Sequence, residues 1–344
     1  YTEMTTAELA ELKATLETQY AGYQAMNLKL NMARGKPGAD QLELSLPLES
    51  ILVETKDFFS EDGTDCRNYG VLDGVDEAKK LMGIMLDEDP ENVIVCGNSS
   101  LNIMYDTIMH HYAFGTLGHA PWCKLDKVKW LCPAPGYDRH FAITEKFGFE
   151  MITIPLNEDG PDMDMVEELV ANDDSIKGIW CVPKYSNPTG IVYSDEVVDR
   201  LANMKTAAAD FRIFWDNAYC IHYLYAEPEK QDKVKDIGAA CRAAGNDERY
   251  VKFASTSKVT LPGAGISAMA CCPEGVKGCL ATMTLQTIGY NKINQLRHVK
   301  FLKDEEGLMA HMMKHAEILR PKFELVLDKL AAGLEGTGAS WVSP

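Results

Sequence analysis

The chain is short of positive charge, of long apolar runs and of paired cysteines, and each shortage removes a class of function. Its 344 residues carry 34 Lys and Arg against 51 Asp and Glu, a net charge of −17. An acidic surface repels a phosphate backbone, so nucleic acid is not an expected partner. No stretch reaches the ~18 apolar residues of a membrane-spanning helix, and the polar N-terminal segment does not read as a signal peptide, so no membrane partner is expected. The ten cysteines include no CxxC pair, and several sit in apolar runs such as Val93-Ile94-Val95-Cys96. That usage predicts reduced, buried thiols in a cytoplasmic protein. There is no internal repeat, low-complexity block or linker. With 46% hydrophobic and 25% charged residues, disorder and collagen-like structure are excluded, and the length allows two domains. Tyr1 in place of an initiator Met, and an end at Ser343-Pro344 without an evident stop, suggest a piece of a longer product.

What is present is a punctuated α/β pattern. Thr5-Thr6-Ala7-Glu8 followed by Leu9, Leu12 and Leu16 is a helix N-cap with apolar residues at helical spacing, predicting a helix from 6 to about 26. Arg34-Gly35-Lys36-Pro37-Gly38 is too rich in Gly and Pro for an element interior and reads as an extended arm. Short apolar runs at 93–97, 128–132, 151–154, 178–182, 211–215, 250–254 and 266–271 alternate with helical stretches, predicting a parallel-type sheet covered on both faces. Beyond 280 the pattern is helical to about 330, with a Gly-rich turn at 333–338.

In open α/β sheets ligands bind beyond the carboxyl ends of the strands. Those positions hold Asn98-Ser99-Ser100, Pro135-Gly136-Tyr137, Ser186-Asn187-Pro188-Thr189-Gly190, Asp216-Asn217-Ala218-Tyr219 and Ser255-Thr256-Ser257-Lys258. Asn98, Ser99 and Ser100 open a helix and could hold a phosphate, with Ser255 and Ser257 as a second grip. Tyr137 could stack on a planar ring, Asp216 could pair with a protonated ring nitrogen, Asn187 and Tyr219 could hold a phenolate oxygen, and Lys258 could form an imine. These are the needs of pyridoxal 5'-phosphate. Taken singly, each has a plainer reading: Asp216 as an N-cap, 187–190 as a turn, Tyr137 as packing against Phe141, Tyr69 as a surface aromatic.

The three segments Ser186-Asn187-Pro188-Thr189-Gly190, Asp216-Asn217-Ala218-Tyr219 and Ser255-Thr256-Ser257-Lys258 resemble the Asn-Pro-x-Gly, Asp-x-Ala-Tyr and Ser-x-x-Lys motifs of fold-type I aminotransferases, the aspartate aminotransferase superfamily. Their order agrees, and the charged stretch 227–235 accounts for a slightly long last separation. The wording of the lysine motif and of Asn68-Tyr69-Gly70 is most similar to a divergent bacterial subgroup of aspartate aminotransferases. The resemblance, covering roughly 30 to 344, implies an α/β fold with a large domain built on a mostly parallel seven-stranded sheet, plus a smaller α+β domain. Residues 1–44 would be the N-terminal helix and arm of the small domain, 45–295 the large cofactor-binding domain, and 296–344 the incomplete start of the C-terminal small domain.

It implies further that Lys258 is the Schiff-base lysine and proton carrier, Asp216 the pyridinium partner, Asn187 and Tyr219 the partners of the cofactor's phenolic oxygen, and Tyr137 the stacking ring. Asn98, Ser99, Ser100, Ser255 and Ser257 would surround the phosphate, and Tyr69 would reach the neighbouring subunit's phosphate in a homodimer with shared sites. Gly35 would lie near the substrate carboxylate. The substrates would be amino acids and 2-oxo acids, with aspartate and 2-oxoglutarate favoured. A dicarboxylate needs a further cation, for which Arg297 is preferred over Lys292, Lys36 and Arg34. Two departures stand out: Ile266 occupies the position of the usual phosphate-clamping arginine, and nothing in 330–344 supplies the arginine for the α-carboxylate. Alternatives on the same scaffold are a pyridoxal-phosphate lyase or decarboxylase, or a non-catalytic cofactor or amino-acid sensor.

No metal site is expected. His311 and His315 have zinc-like spacing but lack a third ligand and the glutamate of a zinc protease, so they read as a solvated helix face. His110-His111 reads as structural. Gly263-Ala264-Gly265 lacks the third glycine of a dinucleotide loop, and the methionines, among them Met4, Met26 and Met32, read as adaptable core.

Overall fold

The computed structural model describes residues 1–30 and 35–343. The candidate cation Arg34, and Met32, lie outside the described residues. By backbone compactness the chain forms two units, Tyr1–Gly38 with Lys322–Ser343, and Ala39–Pro321. In the first, the helix Thr6–Ala25 starts as expected on a capping box, with the Glu8 carboxylate accepting from the Thr5 backbone and hydroxyl at 2.7 Å each. The compact units divide at 38/39 and 321/322. Leu296, Leu302, Leu308 and Met312 pack in one apolar cluster with Leu81, Met82 and Val95, which draws 296–321 into the larger unit.

That larger unit is built on an eight-stranded sheet. Its strands are β1 Val93–Val95, β2 Lys129–Ala134, β3 Glu150–Asn157, β4 Gly160–Pro161, β5 Ile176–Cys181, β6 Arg212–Asp216, β7 Tyr250–Ser255 and β8 Ser267–Ala270. Their order is β1-β8-β7-β6-β5-β2-β3-β4. From β7 through β6, β5 and β2 to β3 every neighbour is parallel, while β8 runs antiparallel to both β7 and β1, and β4 antiparallel to β3. All seven expected runs are strands; the two-residue β4 is too short to carry a periodic signal.

Strand side chains alternate between faces, and both faces are covered. Ile213 and Trp215 of β6 pack with Val198, Leu201 and Ile237 of the helices on one side. Phe214, between them, packs with Trp130, Trp180, Ile103 and Ile108 on the other. This is why the central strands read as continuous apolar runs. The close fit is visible at Gly178, where an added Cβ would collide with the Trp130 ring; an alanine there would overpack the core.

The histidine pair on the long helix Glu305–Leu334 overturns the solvated-face expectation. His311 and His315 are 5% and 2% exposed, turned into the larger unit. Of His110-His111, the His111 ring is buried and meets Trp122 edge-on. No cysteine is paired, but Cys123 is exposed rather than buried. Among the described residues no histidine, cysteine and carboxylate cluster could hold a metal, and no helix is long and apolar enough to cross a membrane.

Candidate active site

Parallel pairing of β6 with β7 sets Asp216 opposite Phe253, so the strand-end residue Asp216 and the turn Thr256–Lys258 that follows β7 emerge on the same edge of the sheet. Asp216 is buried. Its Oδ2 accepts from His140 Nε2 at 3.0 Å, and the His140 ring stacks on Trp180 at 4.6 Å and 15°. A carboxylate only accepts, so the proton of that imidazole lies on Nε2. The other carboxylate oxygen, Oδ1, is buried with no partner among the described residues. Lys258 Nζ lies 4.8 Å from the centre of the Tyr219 ring, and no described carboxylate pairs with it.

Tyr137 closes the same cluster. Its ring meets His140 edge-on at 5.0 Å, and its phenol feels both Lys258 and Asp216. Burial raises the phenol pKa of Tyr137 and of Tyr219, and the Asp216 charge adds to the rise in both. Both therefore stay protonated hydrogen-bond donors at neutral pH.

Hydroxyls gather beside this cluster. The Ser255 and Ser257 hydroxyls are 3.1 Å apart, and Ser257 Oγ donates to the Asn98 carbonyl at 3.3 Å. Asn98 Nδ2 in turn donates to the Pro262 carbonyl at 3.3 Å. Ser99 is the N-cap of the helix Ser100–Phe114, yet its side chain makes no capping bond. Five candidate phosphate ligands thus sit around one helix start, where backbone N–H groups favour an anion. Ile266 is buried in the apolar core, and its backbone N–H donates to Thr256 Oγ1, so at that position no cation is available.

Sequence reasoning missed the frame that holds the lysine turn. His222 Nε2 donates to the Lys258 carbonyl at 3.3 Å. His311 and His315 both direct Nε2 at the Val259 carbonyl, at 2.7 and 3.0 Å, and His315 Nδ1 faces Gln41 Nε2 at 3.1 Å. His298 donates through Nδ1 to the Asn294 carbonyl and accepts at Nε2 from the Thr260 hydroxyl at 2.9 Å, with Thr256 Oγ1 at 3.2 Å. Burial pushes the imidazole pKa of His222 down to about 3, and those of His298 and His311 to about 4. All three are neutral near pH 7, as the donor role of His298 Nδ1 and the acceptor role of its Nε2 require. His140, three residues beyond Tyr137 on the first turn of the helix Asp138–Lys146, was likewise missed; its spacing from Tyr137 was the one available signal.

Other expected residues are not joined to this cluster by any described hydrogen bond, ion pair or ring contact. Asn187 is exposed on the loop after β5. Tyr69 is 81% exposed. Arg297 lies on the helix Lys292–Leu302 with Nε buried and unpartnered. Gly35 belongs to the other compact unit.

A doubly covered, mostly parallel sheet with a lysine, an aspartate and a hydroxyl cradle at its carboxyl edge places the molecule in the fold-type I aminotransferases. The chain belongs to the aspartate aminotransferase family, whose model, described as aspartate amino-transferase, matches residues 4–344. It is 47% identical over 332 residues to an aspartate aminotransferase of Corynebacterium glutamicum, covering 96% of this chain and 76% of that protein. A crystal structure of an aspartate transaminase from the same organism superposes with a TM-score of 0.93 at 44% identity, covering 99% of this chain and 80% of that one. The fold extends to more distant proteins: an α-aminoadipate aminotransferase of Thermus thermophilus superposes with a TM-score of 0.67 at 20% identity, over 87% of this chain and 70% of that one.

Proposed function

We propose that this aminotransferase binds pyridoxal 5'-phosphate at the Asp216–Lys258 cluster and moves an amino group from aspartate to 2-oxoglutarate. The observation that carries the reading is the buried, unpartnered Asp216 Oδ1 beside a lysine without a counter-carboxylate. A carboxylate oxygen is expensive to bury unless a donor meets it, and a protonated pyridine nitrogen is such a donor. When bound, the cofactor supplies an electron sink for the charge left at the substrate Cα.

The chain's own residues divide the remaining work. Lys258 would hold the cofactor through its amine, and Nζ, when free, would carry the substrate Cα proton. Asp216 Oδ1 would accept from the ring nitrogen, while His140 on Oδ2 restrains the carboxylate from rotating. Tyr219 and Asn187 would serve the phenolic oxygen, and Tyr137 the ring face. The hydroxyls of Ser99, Ser100, Ser255 and Ser257, with Asn98, take the phosphate, carrying the charge that the family usually meets with an arginine where Ile266 stands. The relatives named as aspartate aminotransferases support aspartate as amino donor. The exposure of Tyr69 supports a homodimer in which it serves the neighbouring site.

An absorbance spectrum between ~300 and ~500 nm tests it, because an imine on Lys258 is coloured. A band abolished by borohydride and shifted by aspartate is expected; a protein that stays colourless after incubation with the cofactor refutes it. Arg297 is the proposed cation for the second carboxylate. Arg297→Ala should cut kcat/KM for aspartate by roughly 10- to 100-fold, the loss of one charge-assisted hydrogen bond, while alanine turnover is unchanged.

A further inference from the structure

The opposite end of β6 holds a second unsatisfied site. Asp216 ends the strand and Arg212 begins it, roughly 13 Å away at ~3.3 Å per residue. Arg212 is 2% exposed. Its Nη1 donates to the Phe211 carbonyl at 2.9 Å, but Nη2 is buried with no partner, and no described ion pair includes it. The adjacent carboxylate, Asp210, is already taken by Lys177 at 2.6 Å and by the Trp122 indole at 2.8 Å. The charges of Asp210 and Glu248 reach this guanidinium, but a buried cation in no direct ion pair is still costly.

Beside it lies a cavity of about 210 Å³, lined by Arg212 and by His111 among others. His111 is also buried, and its Nδ1 also lacks a partner. Two residues that each carry a nitrogen with no described partner, one on β6 and one on the helix Ser100–Phe114, therefore line one space. The positive start of the helix Pro273–Gln286 contributes Gly275 to the same wall. The remaining wall is mixed: Val251, Met269 and Phe114 give it an apolar part, and Thr107, His119 and Cys279 a more polar one. Glu248 also borders the cavity but is exposed, where water screens its charge.

We propose that this cavity binds a small monocarboxylate, its anionic head on Arg212 Nη2 and His111 Nδ1 and its apolar end against Val251 and Met269. A planar carboxylate matches a guanidinium edge, and one unpaired cation calls for one negative charge. The site is separate from the Asp216–Lys258 cluster and does not depend on how that cluster is read.

Two measurements test it on the full chain with its cofactor. Crystals soaked in sodium bromide should show an anomalous peak within hydrogen-bonding reach of Arg212 Nη2; ordered water alone there would overturn the proposal. Thermal unfolding should then be followed against sodium propionate, with sodium HEPES holding ionic strength constant. The expected rise in Tm is about 2 °C or more in the parent chain. Propionate also docks wherever substrate carboxylates bind, so the informative quantity is the part of the rise that Arg212→Met abolishes. Should that variant not fold, Gly278→Leu serves: a Cβ at this cavity-lining position meets nothing within 4 Å, and leucine suits a helix better than glycine. An equal rise in the parent chain and in the variants would sink the idea.

Discussion

Two lysines of the same strand and its following turn, six positions apart, have opposite surroundings. Lys252, inside β7, is 1% exposed and fully engaged: Nζ lies 2.5 Å from Asp236, 3.1 Å from Glu88 and 2.8 Å from the Asp87 carbonyl. Arg242 and the Tyr250 hydroxyl complete that network on Glu88, at 2.9 and 3.0 Å. Burial works to raise the Glu88 carboxyl, but Lys252 and Arg242 outweigh it and hold its pKa below the usual carboxylate value. Lys258, just past the strand, has an aromatic face and no described carboxylate. A paired buried charge serves the fold, whereas a lysine with no described ion pair, near a carboxylate with one oxygen still open, is available for chemistry.

The largest expected effect follows from the free lysine. Lys258→Ala should lower kcat/KM by on the order of 10⁴-fold or more, since a positioned proton carrier alone is worth up to about that factor, and should also remove the borohydride-sensitive band. Urea unfolding should change little, because no ion pair is lost. Lys252→Met should do the reverse. It leaves Glu88 and Asp236 with the half-exposed Arg242 as their one remaining described cation, and removing one partner from such a buried network costs about 3–5 kcal/mol. Turnover per folded molecule should stay near that of the parent. If Lys258→Ala proved the less stable protein and Lys252→Met the less active one, the contrast between the two lysines would be wrong.

Asp216→Asn is the next step down. It keeps the shape and can still accept from His140, but it removes the negative charge from the unpartnered position. Losing one preorganised electrostatic contact costs roughly 10²- to 10³-fold in kcat, with weaker cofactor retention by dialysis. Full activity in this variant would remove Asp216 from the mechanism.

How much of this was readable in advance differs by residue. Asp216, Ser255 and Lys258 were legible because they follow apolar runs that could only be buried strands, and sheet topology gathers strand ends. Five of the histidines were not. An i, i+4 pair such as His311 and His315 has the same spacing on a solvated face as on a buried one, and only the tertiary fold brings Val259 to it. His298 is equally silent: its partners Thr256 and Thr260 lie about forty residues earlier. The moment pattern of a helix says which face is apolar, not which carbonyl that face will meet. The packing of Leu296, Leu302 and Leu308 was silent for a related reason, since nothing in their spacing names the cluster around Leu81 and Met82 that they join.

That histidine frame supplies the smallest and most specific prediction. His298 has a folded pKa of about 4 against ~6.5 for an unfolded histidine, so between those values the unfolded chain binds a proton that the folded chain refuses. Stability is then fully present above pH ~6.5 and is lost as the pH falls toward about 4, by ~1.4 kcal/mol per pH unit for each such ring. His222 and His311 act in the same direction, so acid should loosen the lysine turn from three sides. His298→Gln keeps an acceptor near the threonine hydroxyls but cannot take up the proton. Urea unfolding at pH 7.5, 6 and 5 should therefore show a shallower acid decline in this variant than in the parent chain, by about one proton's worth, even if its stability at pH 7.5 is lower. An unchanged slope would mean that His298 is already protonated in the folded protein. Its Nε2 would then have to donate to the threonine oxygens instead of accepting, and the whole turn would be held by a different set of hydrogen bonds.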